Sequence, residues 1–380
     1  MNYQKLELHI AQVERAIMQF RCKFHDERKQ KVYDDLVDLF KKIKSSKAQY
    51  TTFNDNKLVT TKEILNEVYL GIEHLHYLKT KEVPEELIFC LEVALKDWID
   101  NHKDFLIVTS LNRKLEEFAI YVSPKRNQDV LKQNILNLFG HNYEQSLIKI
   151  NKPHLFINDF ISSVPLYHEL GHFVDRHFQI TETILFNEPK LNYVRTLGQS
   201  EILKTYHHYS EFFADLFAAQ YIGNTCSEYI NYAFYQNPDS HTHPSTAKRT
   251  DIVQAFLDNR SGVPEIEYIK QWTFVRSKRK IEIRNKPLSF DPFVAETSKK
   301  ITDLFEIHSL FINAWKNWLD ENSPIQVKYN DPTVACDAIN KVAKKSIRLS
   351  MPKKNGHKMG ILMANVSNTV TTIQRNLVRR

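Results

Sequence analysis

Residues 162–178 read SSVPLYHELGHFVDRHF and place two histidines four residues apart, with a glutamate directly after the first. On a helix, His168 and His172 stand about 40° apart around the axis and about one turn apart along it. Two imidazoles so placed can grip a single divalent metal ion, and the carboxylate of Glu169 then reaches a water polarised by that ion. Local signals predict the helix. Ser162 or Ser163 is available as its cap, and Pro165 suits its first turn. Val164, Leu166, Leu170, Phe173 and Val174 give it an apolar face. Burying three ionisable side chains in one helical turn is costly unless they have a use.

A catalytic zinc takes three protein ligands and keeps one position open. His177 is a poor third ligand, because it lies about 140° around the helix from His172. The metzincin extension fails as well, since it needs Gly at 175 and His at 178, where this chain has Asp175 and Phe178. The better candidate is Glu211, in YHHYSEFFADLFAAQYIG (206–223). Phe212, Phe213, Leu216, Phe217 and Ala219 give that segment a helical apolar face, and Gly223 can end it. Glu211 and Asp215 are again four residues apart and share a face. Glu211 can ligate the metal while Asp215 accepts the free ring N–H of a ligand histidine, fixing its orientation and tautomer. The expectation is a Zn2+ site of His168, His172 and Glu211, with Asp215 behind it and Glu169 as general base for hydrolysis of a peptide bond.

HELGH followed by a helix bearing EFFAD resembles the gluzincin zinc metallopeptidases, in which a glutamate on a second helix is the third ligand. A further segment, HTHPSTAKRTDIVQAF (241–256), is similar to the His-Pro-Ser…Arg stretch of the HtpX and CAAX-endopeptidase type and its soluble relatives. HELGHFVD with EFFAD is also similar to the catalytic domain of anthrax lethal factor-like peptidases. The resemblance covers roughly 155–257, about a quarter of the chain. It implies a zincin-like core and a position for His243 close to the metal, where it would donate a hydrogen bond to the oxyanion as a catalytic residue. Tyr209, Tyr221 and His241 compete for that role. Arg249 reads as an ion-pair partner, and Asp175, His207 and His208 as polar-face residues. The stretch 179–204 reads as a long connection that shapes or covers the cleft, or simply as another helix with spacers.

Other elements must hold these residues. Leu6, Ile10, Val13, Ile17 and Phe20 form a helical stripe that either packs within its own domain or pairs two copies in a homodimer. Helices are predicted over 32–43, from about 61 to 78, and from 84 to 101. FLIVTSL (105–111) and EEFAIYVS (116–123) look like a hairpin. A helix over 128–139 ends at Gly140, and SLIKI (146–150) and LFINDF (155–160) read as further strands. After the metal helices, 276–286 alternates charged and β-branched residues as a solvated strand edge does. Residues 292–320 read as one long amphipathic helix, and 332–349 as another.

The 380 residues include only 8 Gly, which disfavours a turn-dense all-β fold. The predicted class is α+β, mainly helical: a helical region over 1–103, the zincin-like metallopeptidase core over 104–260, and a helical region with a basic tail over 261–380. Four well-separated cysteines and no CxxC pair argue against thiolate zinc or a disulfide framework, and point to the cytoplasm. No apolar run approaches the ~18 residues of a membrane span, and the N-terminus carries no secretory pattern. The net charge is +7, and residues 341–380 hold ten Lys or Arg and no acid. Such a tail reads as a solvated face or a contact for an acidic partner, and, without interleaved aromatics, only weakly as a nucleic-acid contact. The function these features imply is a zinc endopeptidase acting on a protein or peptide substrate inside the cell. The competing expectation is a regulatory or binding protein that uses the same scaffold to recognise a protein or nucleic acid.

Overall fold

The computed structural model describes residues 2–21, 23–24, 26–79, 84–112, 118–121, 125–143, 146–157 and 159–352. Four helices come first: α1 (Tyr3–Gln19), α2 (Glu27–Ser45), α3 (Asp55–Lys79) and α4 (Glu85–Trp98). Side-chain caps start the first two, with Asn2 accepting from the Lys5 N–H and Asp26 from those of Arg28 and Lys29. Leu6, Ile10 and Val13 of the α1 stripe are buried, and α1 packs on α3. Ile17 and Phe20, the rest of that stripe, are partly buried against the same core.

Next come β1 (Phe105–Asn112), β2 (Ala119–Tyr121), α5 (Lys125–Phe139) and β3 (Ser146–Pro153). The sheet order is β1-β3-β2: β3 runs parallel to β1 and antiparallel to β2. The hairpin expected over 105–123 is not formed, because β1 and β2 flank β3 instead of pairing. Ser146 to Ile150 are all buried, so β3 has both faces covered. A strand of that kind belongs at the centre of a sheet, with partners on both edges.

The strand expected over 155–160 is also absent among the described residues. β3 gives way to a 3-10 turn (His154–Phe156) and then a second one (Ile161–Ser163). Asp159 accepts hydrogen bonds from the Ile161 and Ser162 N–H groups, a local turn that competes with an extended ladder. These turns lead into α6 (Pro165–Phe178). Its N-cap position is Val164, with no capping side chain, so neither Ser162 nor Ser163 takes that role; Pro165 does occupy the first turn. What fixes the start of α6 is the end of β3. The fully buried Lys152 donates to the Asp159 carbonyl (2.8 Å) and to Ser163 Oγ (2.9 Å). Burial pushes its ammonium down to about 7, helped by Lys344 and opposed by Asp159.

The chain continues through α7 (Ile180–Asn187), a 3-10 stretch (Pro189–Thr196), α8 (Gln199–Ile222), α9 (Thr225–Ala233), α10 (Thr246–Leu257) and α11 (Pro264–Ser277). Gly223 ends α8 at a φ of 55°, a left-handed conformation that glycine adopts without strain. The strand edge expected over 276–286 is not formed: Arg276 and Ser277 close α11, and the residues after them carry no strand. The N–H groups of Arg284 and Asn285 both donate to the Gln220 carbonyl, so the end of α8 takes the place of a neighbouring strand. The long helix expected over 292–320 is confined to α12 (Ser309–Leu319), with a 3-10 turn over Glu306–His308 before it. Asp291 and Asp303 accept from the N–H groups of Phe293 and Phe305 and divert the backbone into turns, while Phe293 and Ile301 still reach the core. α13 (Pro324–Tyr329) and α14 (Pro332–Ser350) complete the described chain. Most of the basic tail lies outside the described residues. Within α14, Arg348 pairs with the buried Glu86. No helix among the described residues is long and apolar enough to cross a membrane.

One apolar core runs from Leu6 to Ile347, and the pairing of α6 with α8 lies within it. Gly171 permits that pairing. A methyl group there would stand 2.8 Å from Ala214 Cα, 3.0 Å from Phe217 Cβ and 3.2 Å from the Ala214 carbonyl. The obstacle is helix backbone, which cannot swing aside.

Two consequences can be measured. Gly171→Ala is expected to destabilise the protein by about 1–3 kcal/mol through overpacking, read as a lower thermal midpoint; an unchanged midpoint would contradict the close approach. Lys152 is charged less readily folded than unfolded, so between about pH 7 and about pH 10.4 the unfolded chain binds the extra proton and stability rises with pH. Urea midpoints of the wild type should therefore gain on those of Lys152→Met over that interval, and parallel curves would refute the burial argument.

Candidate metal centre

α6 and α8 converge side chains from three positions. His168 Nε2 lies 3.4 Å from Glu211 Oε2, and His172 Nε2 lies 3.3 Å from Glu211 Oε1. One nitrogen from each histidine and one oxygen of Glu211 all fall within 4.8 Å of one another, the one such group of three among the described residues. Ligands about 2.0–2.1 Å from a tetrahedral ion stand about 3.3–3.4 Å apart, close to the two nitrogen–oxygen distances here, one to each oxygen of Glu211. Glu211 Oε2 is buried with no well-aligned hydrogen bond, its charge met by Arg249 Nη1 at 3.3 Å and His168 Nε2 at 3.4 Å, and a cation bound there would satisfy it directly.

The opposite nitrogen of each ring is tied down. His168 Nδ1 meets Asp215 Oδ1 at 2.8 Å. His172 Nδ1 meets Ser210 Oγ at 3.2 Å, and that hydroxyl donates to Asp175 Oδ2 at 3.0 Å. Both rings thus donate from Nδ1 and turn Nε2 toward Glu211. Asp175 is 2% exposed and also accepts from the Thr181 N–H, so it is a buried anchor and not the polar-face residue its sequence position suggested.

Charge explains why these groups tolerate burial. Arg249, on the first turn of α10, donates to Asp215 through Nε (2.8 Å) and Nη2 (2.7 Å), and its Nη1 lies 3.3 Å from Glu211 Oε2. Burial alone would raise both carboxyl groups. For Glu211 the charge of Arg249 and the contacts with His172 and His168 outweigh it; for Asp215, Arg249 and His168 do. Both acids stay ionised, so two carboxylates face one guanidinium and the buried set is one positive charge short. Burial opposes a proton on His168, yet Asp215 and Glu211 prevail and lift the ring to about 10. A divalent ion meets the same demand for positive charge. The buried Arg249 is the ion-pair partner its sequence context implied.

Glu169 and His243 line the same cavity, whose volume is about 570 Å³. His243 sits on the loop before α10 with its Nε2 3.7 Å from Glu211 Oε1. That loop is held by a backbone bond from the Ser240 N–H to the His243 carbonyl and by His208 Nε2 on the Ser240 carbonyl, both 2.8 Å. Ser245 caps α10 by accepting from the Lys248 N–H. The competitors of His243 do not line the cavity: the Tyr221 hydroxyl donates to Asp97 Oδ2 (3.0 Å), Tyr209 is buried beside Phe212, and His241 faces His207. Residues 179–204 contribute nothing to its described lining either; α9 forms that wall.

Sequence reasoning missed Ser210 and the role of Asp175. A usable signal existed, since Asp175 lies seven residues after His168 on the same helical stripe, and Ser210 directly precedes Glu211. Compared with family models, with curated proteins and with solved structures, the chain matches none.

Removing the support behind one ligand should loosen the site without dismantling it. Ser210→Ala is expected to weaken zinc binding by about 10–100-fold, measured by competition with a chromogenic chelator. Wild-type affinity in that variant would mean that the hydroxyl does not orient His172.

Proposed function

We propose that this chain is a zinc-dependent endopeptidase. The observation that carries the reading is the convergence of His168 Nε2, His172 Nε2 and a Glu211 oxygen at ligand spacing, with both Nδ1 atoms already engaged elsewhere. When bound, zinc acidifies a water and polarises a carbonyl group. His168, His172 and Glu211 hold the ion, while Asp215 and the Ser210–Asp175 pair keep the two rings aimed at it.

Glu169, in the cavity wall, takes the proton from the attacking water and delivers it to the departing nitrogen of the substrate. The Thr242 hydroxyl stands 2.8 Å from His243 Nδ1; donating there, it leaves the proton on Nε2, which faces the cavity. His243 then donates from Nε2 to the substrate oxygen as that oxygen gains charge. Three free cysteines, Cys90, Cys226 and Cys336, fit a reducing compartment, and we assign the chain to the cytoplasm.

Glu169→Gln separates this reading from that of a binding protein. The variant should hold one zinc per chain and lose about 10²–10⁴-fold in kcat. Protein fragments in cells producing the wild type should be missing from cells producing the variant. Equal fragment patterns would end the endopeptidase reading, and partner or DNA binding that survives metal removal would favour the regulatory alternative.

A further inference from the structure

Three further histidines stand near His243 but outside the cavity lining: His207 and His208 on α8, and His241 on the loop before α10. Two of the rings at this rim already have work. His208 Nε2 donates to the Ser240 carbonyl at 2.8 Å, and His243 Nδ1 meets the Thr242 hydroxyl at 2.8 Å. His207 and His241 differ from both. Their rings stand 6.2 Å apart at 62°, and neither makes a hydrogen bond among the described residues.

Position gives this pair its meaning. His207 lies four residues before Glu211, so it is on the ligand face of α8, about 40° around the axis and about 6 Å along it. His241 approaches from a loop that is held at two points. Ser240 is tied to α8 through His208. Asp239 is tied to α10, where it accepts from the Ser245 N–H at 2.6 Å and pairs with Lys248. The loop therefore carries His241 to the His207 ring and keeps it there.

The spacing is within reach of one ion. In the inner ligand group the rings of His168 and His172 stand 4.6 Å apart at 87°. Two imidazoles on one tetrahedral ion put their ring centres about 5 Å apart, so a turn of about 1 Å by the exposed His241 side chain brings this pair to that span. Burial and the neighbouring His241 hold the His207 ring below the usual histidine value, in the neutral form that ligates. Imidazole nitrogens select zinc, copper or nickel over magnesium or calcium.

We propose that His207 and His241 form a second, outer cation site that takes an imidazole-binding divalent ion such as Zn2+, with water in its remaining positions. It shares no residue with the inner ligand group and does not depend on the hydrolase reading. Two protein ligands instead of three, and the charge of an ion in the inner group, make it the weaker of the two sites. An ion held there joins the loop to α8 and pins the segment that carries His243.

Zinc titration of the full chain against a chromogenic chelator tests this. The wild type is expected to bind one tight and one weaker equivalent. His207→Ala and His241→Ala should each lose the weaker equivalent and keep the tight one. Both side chains are at least partly exposed, so neither change empties the core. A wild type with the tight equivalent alone overturns the proposal. A weaker equivalent that survives in both variants overturns it too, since the ion then sits adventitiously on other surface groups. Loss of both equivalents in either variant does the same, because the pair would then belong to the inner group. Hydrogen exchange at residues 238–243 should slow when the second equivalent is added to the wild type and stay unchanged in His207→Ala. Equal exchange in the two proteins overturns the pinning of the loop.

Discussion

The distance between two helix backbones governs everything else in this molecule. α6 brings two imidazoles and α8 brings a carboxylate, and the three meet only because Gly171 lets the backbones nearly touch at Ala214. Side chains can adapt to small shifts, but ligand atoms cannot be spread by more than a few tenths of an ångström before a tetrahedral ion loses a contact. The aromatic packing of α8 on Trp98 through Phe213 and Phe217 holds this spacing from the far side. Lys152 fixes where α6 begins. Fold and site are in this sense one problem in packing.

Electrostatics adds a second constraint of a different kind. A buried carboxylate needs a partner, and the pair Glu211 and Asp215 has one guanidinium between them. The remaining negative charge holds a proton on His168, whose place a divalent cation can take. Hydrogen bonds to the outer ring nitrogens give that exchange its direction, since they decide which atom of each histidine is left to bind. The buried α9 side chains Cys226, Tyr229 and Ile230 line the same cavity and lower the local dielectric, which strengthens the charged interactions there.

Most of the site was legible in the sequence because its parts obey short-range rules. His168, Glu169 and His172 are a four-residue helical pattern, as are Glu211 and Asp215, and the apolar faces around them said that the two segments were helices. The mainly helical class followed from the same periodicity and from the scarcity of glycine. What failed was decided by contacts distant in the chain or by very local ones. The hairpin over 105–123 was displaced by β3, which arrives from beyond α5 and takes the central place. The strand over 155–160 and the early part of the helix over 292–320 yielded to aspartates bonding their neighbours' N–H groups. Asp175 looked like a solvent-facing acid because its partner, Ser210, sits 35 residues away on another helix.

The position of Arg249 has a consequence for biogenesis. The guanidinium that neutralises Asp215 enters the chain 34 residues after it, on a separate helix whose start is fixed by Ser245. On a ribosome, α6 and α8 emerge first, and the two carboxylates of α8 then have only the imidazoles of α6 to offset them. Burying Glu211 and Asp215 at that stage costs more than it does with the guanidinium in place. The charge pairing of this interior is complete only once α10 has been made and docks.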